Sequence, residues 1–147
     1  MNIRYAKEED LADVLGMYLS ALAEIKDYAL EPSLEKCADE VYFSWADAPC
    51  FLLEKDGKTV GFAGLKRVTP DYTEQSILSE YMFYIKPEAR AVKAAKMLSD
   101  AVKNYAVAND EILFLQHKVT NKDINMKQKF LMRWGYDSVY LCVTVKG

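Results

Sequence analysis

Ile77-Leu78-Ser79-Glu80-Tyr81-Met82-Phe83-Tyr84-Ile85-Lys86-Pro87-Glu88-Ala89-Arg90-Ala91-Val92-Lys93-Ala94-Ala95-Lys96 is the stretch around which the chain is organised. It reads as a strand, a proline, a short basic turn and the start of a long helix. Ile77, Ser79, Tyr81, Phe83 and Ile85 alternate with Leu78, Glu80, Met82, Tyr84 and Lys86, so both faces of the strand are substantially apolar. Pro87 cannot donate to a ladder and stops it. Beyond the turn, Ala94, Leu98, Ala101, Val102, Tyr105 and Ala108 recur at helical spacing.

The turn carries the chemical interest. A helix N-terminus presents unpartnered N–H groups and the positive end of the helix dipole, which together make an anion site. Arg90, Lys93 and Lys96 add positive charge, and the alanines let a phosphate approach the backbone. The arrangement suggests a nucleotide-like cofactor with a pyrophosphate. A plain strand-to-helix crossover with a solvated basic face explains the same residues.

Composition narrows the class. The chain has 147 residues, the size of one domain, and 51% hydrophobic residues supply a sizeable core. A net charge of −3 and a pI of about 5.3 argue against nucleic acid as the main partner, so the basic turn serves a small polyanion. No apolar run approaches bilayer length, and Met1-Asn2-Ile3-Arg4-Tyr5 lacks a signal-peptide core. The expectation is a soluble, cytoplasmic protein without membrane partners. Cys37, Cys50 and Cys142 lie far apart in apolar patterns and read as small buried thiols. His117 is the only histidine, which leaves no metal-ligand spacing and only one residue for a Ser-His or Cys-His unit.

Taken in order, residues 2–6 read as a short strand. A helix follows with Leu11, Val14, Leu15, Tyr18, Leu22 and Ile25 on one face and acidic residues Glu8, Glu9, Asp10 and Asp13 at its start. Ser33 is the N-cap of a second helix with a stripe at Leu34, Cys37, Val41 and Trp45. A strand at 50–54 and another at 59–69 flank Asp56-Gly57, a type I′ hairpin signal. Gly61 and Gly64 inside the second strand mark a bulge or a close approach. After the central strand and helix come a fully apolar strand at 112–115, expected to be buried on both faces, and a helix with Ile124, Phe130, Leu131 and Trp134. Gly135 then acts as its C′ residue, before a last strand from Tyr136 to Val145. The order β-α-α-β-β-β-α-β-α-β is a single mixed α/β (α+β) domain over 1–147.

These motifs resemble the GNAT (Gcn5-related) N-acetyltransferases over nearly the whole chain. Three places carry the resemblance: the strand and turn from Phe83 to Arg90, the run from Arg90 to Ala95 on the pattern Gln/Arg-x-x-Gly-x-Gly/Ala, and the run from Asn121 to Gly135-Tyr136. The Arg-Ala-Val-Lys-Ala-Ala-Lys-x-Leu version of the turn is most similar to divergent GNAT-like proteins of tailed phages, which would place it in a host cytoplasm. The resemblance implies a central mixed sheet splayed between strands 4 and 5, with helices on both faces and acetyl-CoA in the splay. Backbone groups of Phe83 and Ile85 would bond the pantetheine arm. Amides of Ala91, Val92, Lys93, Ala94 and Ala95 would hold the pyrophosphate, with Arg90 nearby and Asn121 near the thiol end. Lys93 stands where the first loop glycine is expected. Leu131 stands where many members have a proton-donating tyrosine, so water or another tyrosine, such as Tyr136 or Tyr140, would have to serve.

The reaction implied is direct attack of an amine on the thioester, which needs a base, an oxyanion donor and an acid. Glu80 is the candidate base. It is offset by one position from the family's glutamate, which turns it to the other face unless a bulge intervenes. Tyr84 is a candidate proton donor from the face of Glu80. His117 would lie at the mouth of the splay. Tyr28, Pro32, Glu31, Glu35 and Asp39 would form an acidic, aromatic wall for a cationic amine. No metal is implied. The function expected is acetyl-CoA-dependent N-acetylation of a primary amine on a small molecule or protein. The alternative is an inactive GNAT-fold binding or phage accessory protein. The last strand could pair with a second copy at a sheet edge as a homodimer.

Overall fold

A computed structural model describes residues 1–25, 31–114, 129 and 131–136. The elements are β1 (Asn2–Tyr5), a 3-10 turn at Glu8–Asp10, α1 (Leu11–Ile25), α2 (Leu34–Asp47), β2 (Cys50–Lys55), β3 (Lys58–Val68), β4 (Ile77–Ile85), a 3-10 turn at Pro87–Ala89, α3 (Val92–Ala108) and β5 (Leu113–Phe114). The order read from the sequence holds through β5.

The local causes are visible. No serine or threonine starts α1; instead Asp10 accepts from the Lys7 N–H at 2.7 Å while Arg4 forks onto both of its oxygens at 2.7 and 2.9 Å. Ser33 caps α2, its hydroxyl accepting from the Lys36 N–H at 3.3 Å. The α2 stripe is Cys37, Val41 and Ser44, whereas Leu34 stays 62% exposed at the helix start. Asp56 and Gly57 take φ values of 52° and 73°, both positive as a type I′ turn requires.

The sheet runs β1-β2-β3-β4-β5, antiparallel until β4 and β5, which are parallel. α1 and α2 cover one face. There Leu11, Val14, Met17 and Val41 pack on Leu52, Phe62, Tyr81, Met82 and Tyr84. α3 covers the other face, with Ala94, Leu98, Val102 and Ala106 against Phe51, Leu53, Ala63, Leu65 and Leu78. The inward stripe of α3 ends on Ala106, and Ala108 is exposed. The expectation that β5 is buried on both faces fails: Ile112 is 49% and Phe114 38% exposed.

Gly135 closes a helical turn at 131–133 with φ of 87°. Its N–H bonds the Met132 carbonyl and the Tyr136 N–H bonds the Leu131 carbonyl, both at 3.2 Å, a Schellman arrangement. The last strand beyond Tyr136 with its proposed dimer contact, Tyr28, His117, Asn121, Ile124, Phe130, Tyr140 and Cys142 lie outside the described residues.

Candidate functional site

β4 positions the site. Its described pairing with β5 covers only Leu78 and Ser79. Toward β3, Met82 faces Gly64 and Glu80 faces Leu65, so Tyr81 is an extra residue in β4. This is a β-bulge, and it places Tyr81 and Met82 in the same core under α1. Gly64 makes room: a Cβ there would lie 2.2 Å from the Tyr81 ring.

The bulge corrects one expectation. Glu80 and Tyr84 do not share a face, because the extra residue between them shifts the alternation. Tyr84 lies in the α1/α2 core. Glu80 follows Leu78 onto the α3 side, where its charge reaches Tyr136. Glu80 is 1% exposed, and burial pushes its carboxyl up from 4.5 to about 8. On this side, within reach of the Glu80 charge, the Tyr136 hydroxyl lies 2.7 Å from the Ser99 Oγ on α3. Burial holds the Tyr136 proton up to about 12; the Ser99 hydrogen bond opposes that and the Glu80 charge adds to it.

At the other end of β4 the backbone turns outward. Lys86 donates its N–H to the Val60 carbonyl at 2.8 Å, and Tyr84 pairs with Phe62. Alternation in an antiparallel ladder then directs the N–H and C=O of Phe83 and Ile85 away from β3. Arg90 Nε donates to the Ile85 carbonyl on this side at 2.8 Å. Its guanidinium also donates to Glu24 at 2.5 Å and sits 5.5 Å from the centre of the Tyr84 ring. The Tyr84 hydroxyl donates to the other Glu24 oxygen at 3.1 Å. Burial, then the Glu24 hydrogen bond, raise the pKa of Tyr84. Sequence reasoning missed Glu24. The available signal was an acidic residue in the last turn of a helix, where the dipole disfavours it and a cationic partner is needed.

α3 starts at an open N-cap. Ala91 is extended and makes no side-chain cap bond. The first intrahelical bond runs from the Ala95 N–H to the Ala91 carbonyl at 3.0 Å. Hence Val92, Lys93 and Ala94 present N–H groups without helical partners, while Ala95, expected among the donors, has its N–H inside the helix. Lys96 pairs with Asp100, Arg90 pairs with Glu24, and Lys93 is exposed with no ion-pair partner among the described residues. The end of β4 and the start of α3 thus combine outward backbone groups, an uncapped helix start and the Lys93 ammonium. Among the described residues no group of three or more His, Cys, Asp or Glu could hold a metal.

The Acetyltransferase (GNAT) family model matches residues 19–136, from the middle of α1 through the Gly135-Tyr136 turn. The chain belongs to the GNAT acetyltransferase family. No curated protein sequence matches it. Its fold is similar to that of a probable acetyltransferase, with TM-score 0.73, 17% identity, and 99% of this chain and 97% of that one covered. It is also similar to a predicted acetyltransferase from Clostridium acetobutylicum solved with acetyl-CoA, with TM-score 0.71, 15% identity, and 99% and 95% covered. A third is an aminoglycoside acetyltransferase from an uncultured soil metagenomic sample in complex with sisomicin, with TM-score 0.69, 17% identity, and 99% and 94% covered. At these identities the likeness shows the GNAT fold of this chain. No helix among the described residues is long and apolar enough to cross a membrane.

Proposed function

We propose that this protein transfers the acetyl group of acetyl-CoA to a primary amine of a small molecule or protein. The observation that carries the reading is the uncapped start of α3 beside the outward-facing end of β4. The N–H groups of Val92, Lys93 and Ala94 suit a pyrophosphate, and the exposed Lys93 ammonium supplies the charge that a glycine in its place would not. The Phe83 and Ile85 backbone suits the amides of a pantetheine arm. The structural relatives support the substrate classes, since one was solved with acetyl-CoA and another with an aminoglycoside.

In the proposed reaction the amine nitrogen attacks the thioester carbonyl carbon. The C–N bond forms, the C–S bond breaks, and the amine's excess proton goes to Glu80. Glu80 sits at the bulge, one residue beyond the last described β4–β5 pair, and Tyr136, within reach of its charge, is the candidate donor to the thiolate. Because burial holds Glu80 near 8, the carboxyl mostly carries its proton at pH 7 and its capacity as a base grows as pH rises. Exposed Glu31, Glu35 and Asp39 around the start of α2 suit a cationic acceptor, and a solvated helix face accounts for them equally. A place among tailed-phage relatives, and with it a host cytoplasm, rests on the sequence from Arg90 to Leu98 alone. The second reading, a fold kept without its chemistry, is favoured by one observation: Arg90 is engaged by Glu24 and Ile85.

The test is thiol release from acetyl-CoA over polyamines, aminoglycosides and lysine peptides. The expected result is a rate rising through pH 8, reduced about 100-fold or more in Glu80→Gln. No thiol release with any amine class would leave the second reading in its place.

A further inference from the structure

Arg90 is a basic side chain of the turn whose ion-pair partner lies on the opposite side of the sheet from α3. Glu24 belongs to α1, which covers the other face. To reach it, the guanidinium passes round the end of β4, stacks on Tyr84 and leaves its Nε on the Ile85 carbonyl. The Glu24 carboxylate closes the ring by accepting the Tyr84 hydroxyl on its second oxygen. Three groups from α1, β4 and the turn are thereby fixed together, and the acceptor on the outward edge of β4 is occupied by the cation that stands beside the anion site. Arg90 and Glu24 side chains are 47% and 42% exposed, so the pair is solvent-screened and exchangeable.

We propose that Glu24 is a positioning residue for the cofactor cleft: it holds Arg90 on the Ile85 carbonyl and withholds it from a phosphate group at the start of α3. The inference rests on the acetyl-CoA reading and specifies what regulates that site. A pyrophosphate entering the turn competes with Glu24 for one guanidinium, and winning it also releases the Ile85 carbonyl for an amide of the incoming chain. Glu24 therefore lowers cofactor affinity.

The experiment is calorimetric titration of CoA into wild type, Glu24→Gln, Arg90→Ala and the double variant, with Glu88→Gln as a control for removing a nearby negative charge. Glu24→Gln is expected to bind about 2- to 5-fold more tightly, the range of an exposed ion pair. The gain is expected to disappear in the Arg90→Ala background and to exceed that of Glu88→Gln. Equal or weaker binding by Glu24→Gln overturns the proposal, and so does a gain that persists without Arg90. If CoA binds no variant, the acetyl-CoA reading fails, and inorganic pyrophosphate becomes the probe on the same set. Tighter pyrophosphate binding by Glu24→Gln that depends on Arg90 supports the role of Glu24; no such gain overturns it.

Discussion

Glu80 shows how much one side chain can be made to do by its surroundings. Its carboxyl is buried on the α3 side of β4, near the hydroxyl pair of Ser99 and Tyr136. Because its folded-state value of about 8 lies above its ordinary 4.5, the folded protein binds a proton that the unfolded chain releases between those values. The contribution of Glu80 to stability is then fullest below about 4.5 and is lost as pH rises through about 8. Thermal melts from pH 5 to pH 9 are expected to decline in the wild type and to stay nearly flat in Glu80→Gln. Parallel curves would show that Glu80 does not titrate in this window. The role of Glu80 was legible only in part. A glutamate in an apolar strand stood out, but its face depended on a bulge that alternation alone does not announce. The Glu24, Tyr84 and Arg90 contact was not legible, because it joins residues that are 60 and 66 positions apart.

At the scale of elements, the bulge in β4 depends on a glycine in β3. The Tyr81 ring lies over Gly64, with Tyr18 edge-on at 5.5 Å and Phe62 at 6.4 Å between centroids. Adding a methyl at Gly64 forces the ring out of this packing. Gly64→Ala is expected to cost about 1–3 kcal/mol in denaturant unfolding, the usual range for overpacking a core. A neutral result would mean that β4 relaxes without the bulge. This feature was readable as a glycine inside a strand. So were the Ser33 cap, the Asp56-Gly57 turn and the Gly135 C′ position, since each follows from a single residue's backbone chemistry. The exposure of Ile112 and Phe114 was not readable: an apolar run has the same composition whether or not its side chains end up covered.

For the whole molecule, the alternating helix and strand periods were enough to give the element order and the mixed sheet, and the family match agrees with that order. The anion site was readable as a place, a helix start after Pro87, but not as a set of donors. Only the structure shows that Ala95 is already bonded and that Arg90 faces α1. The central claim is that the remaining donors, with Lys93, hold the pyrophosphate of acetyl-CoA. Isothermal titration of acetyl-CoA into wild type and Lys93→Glu tests it directly. The account predicts micromolar binding by the wild type and a loss of at least about tenfold in the variant, the effect of turning a phosphate-facing cation into an anion. Absence of binding by the wild type, or equal binding by the variant, would contradict it.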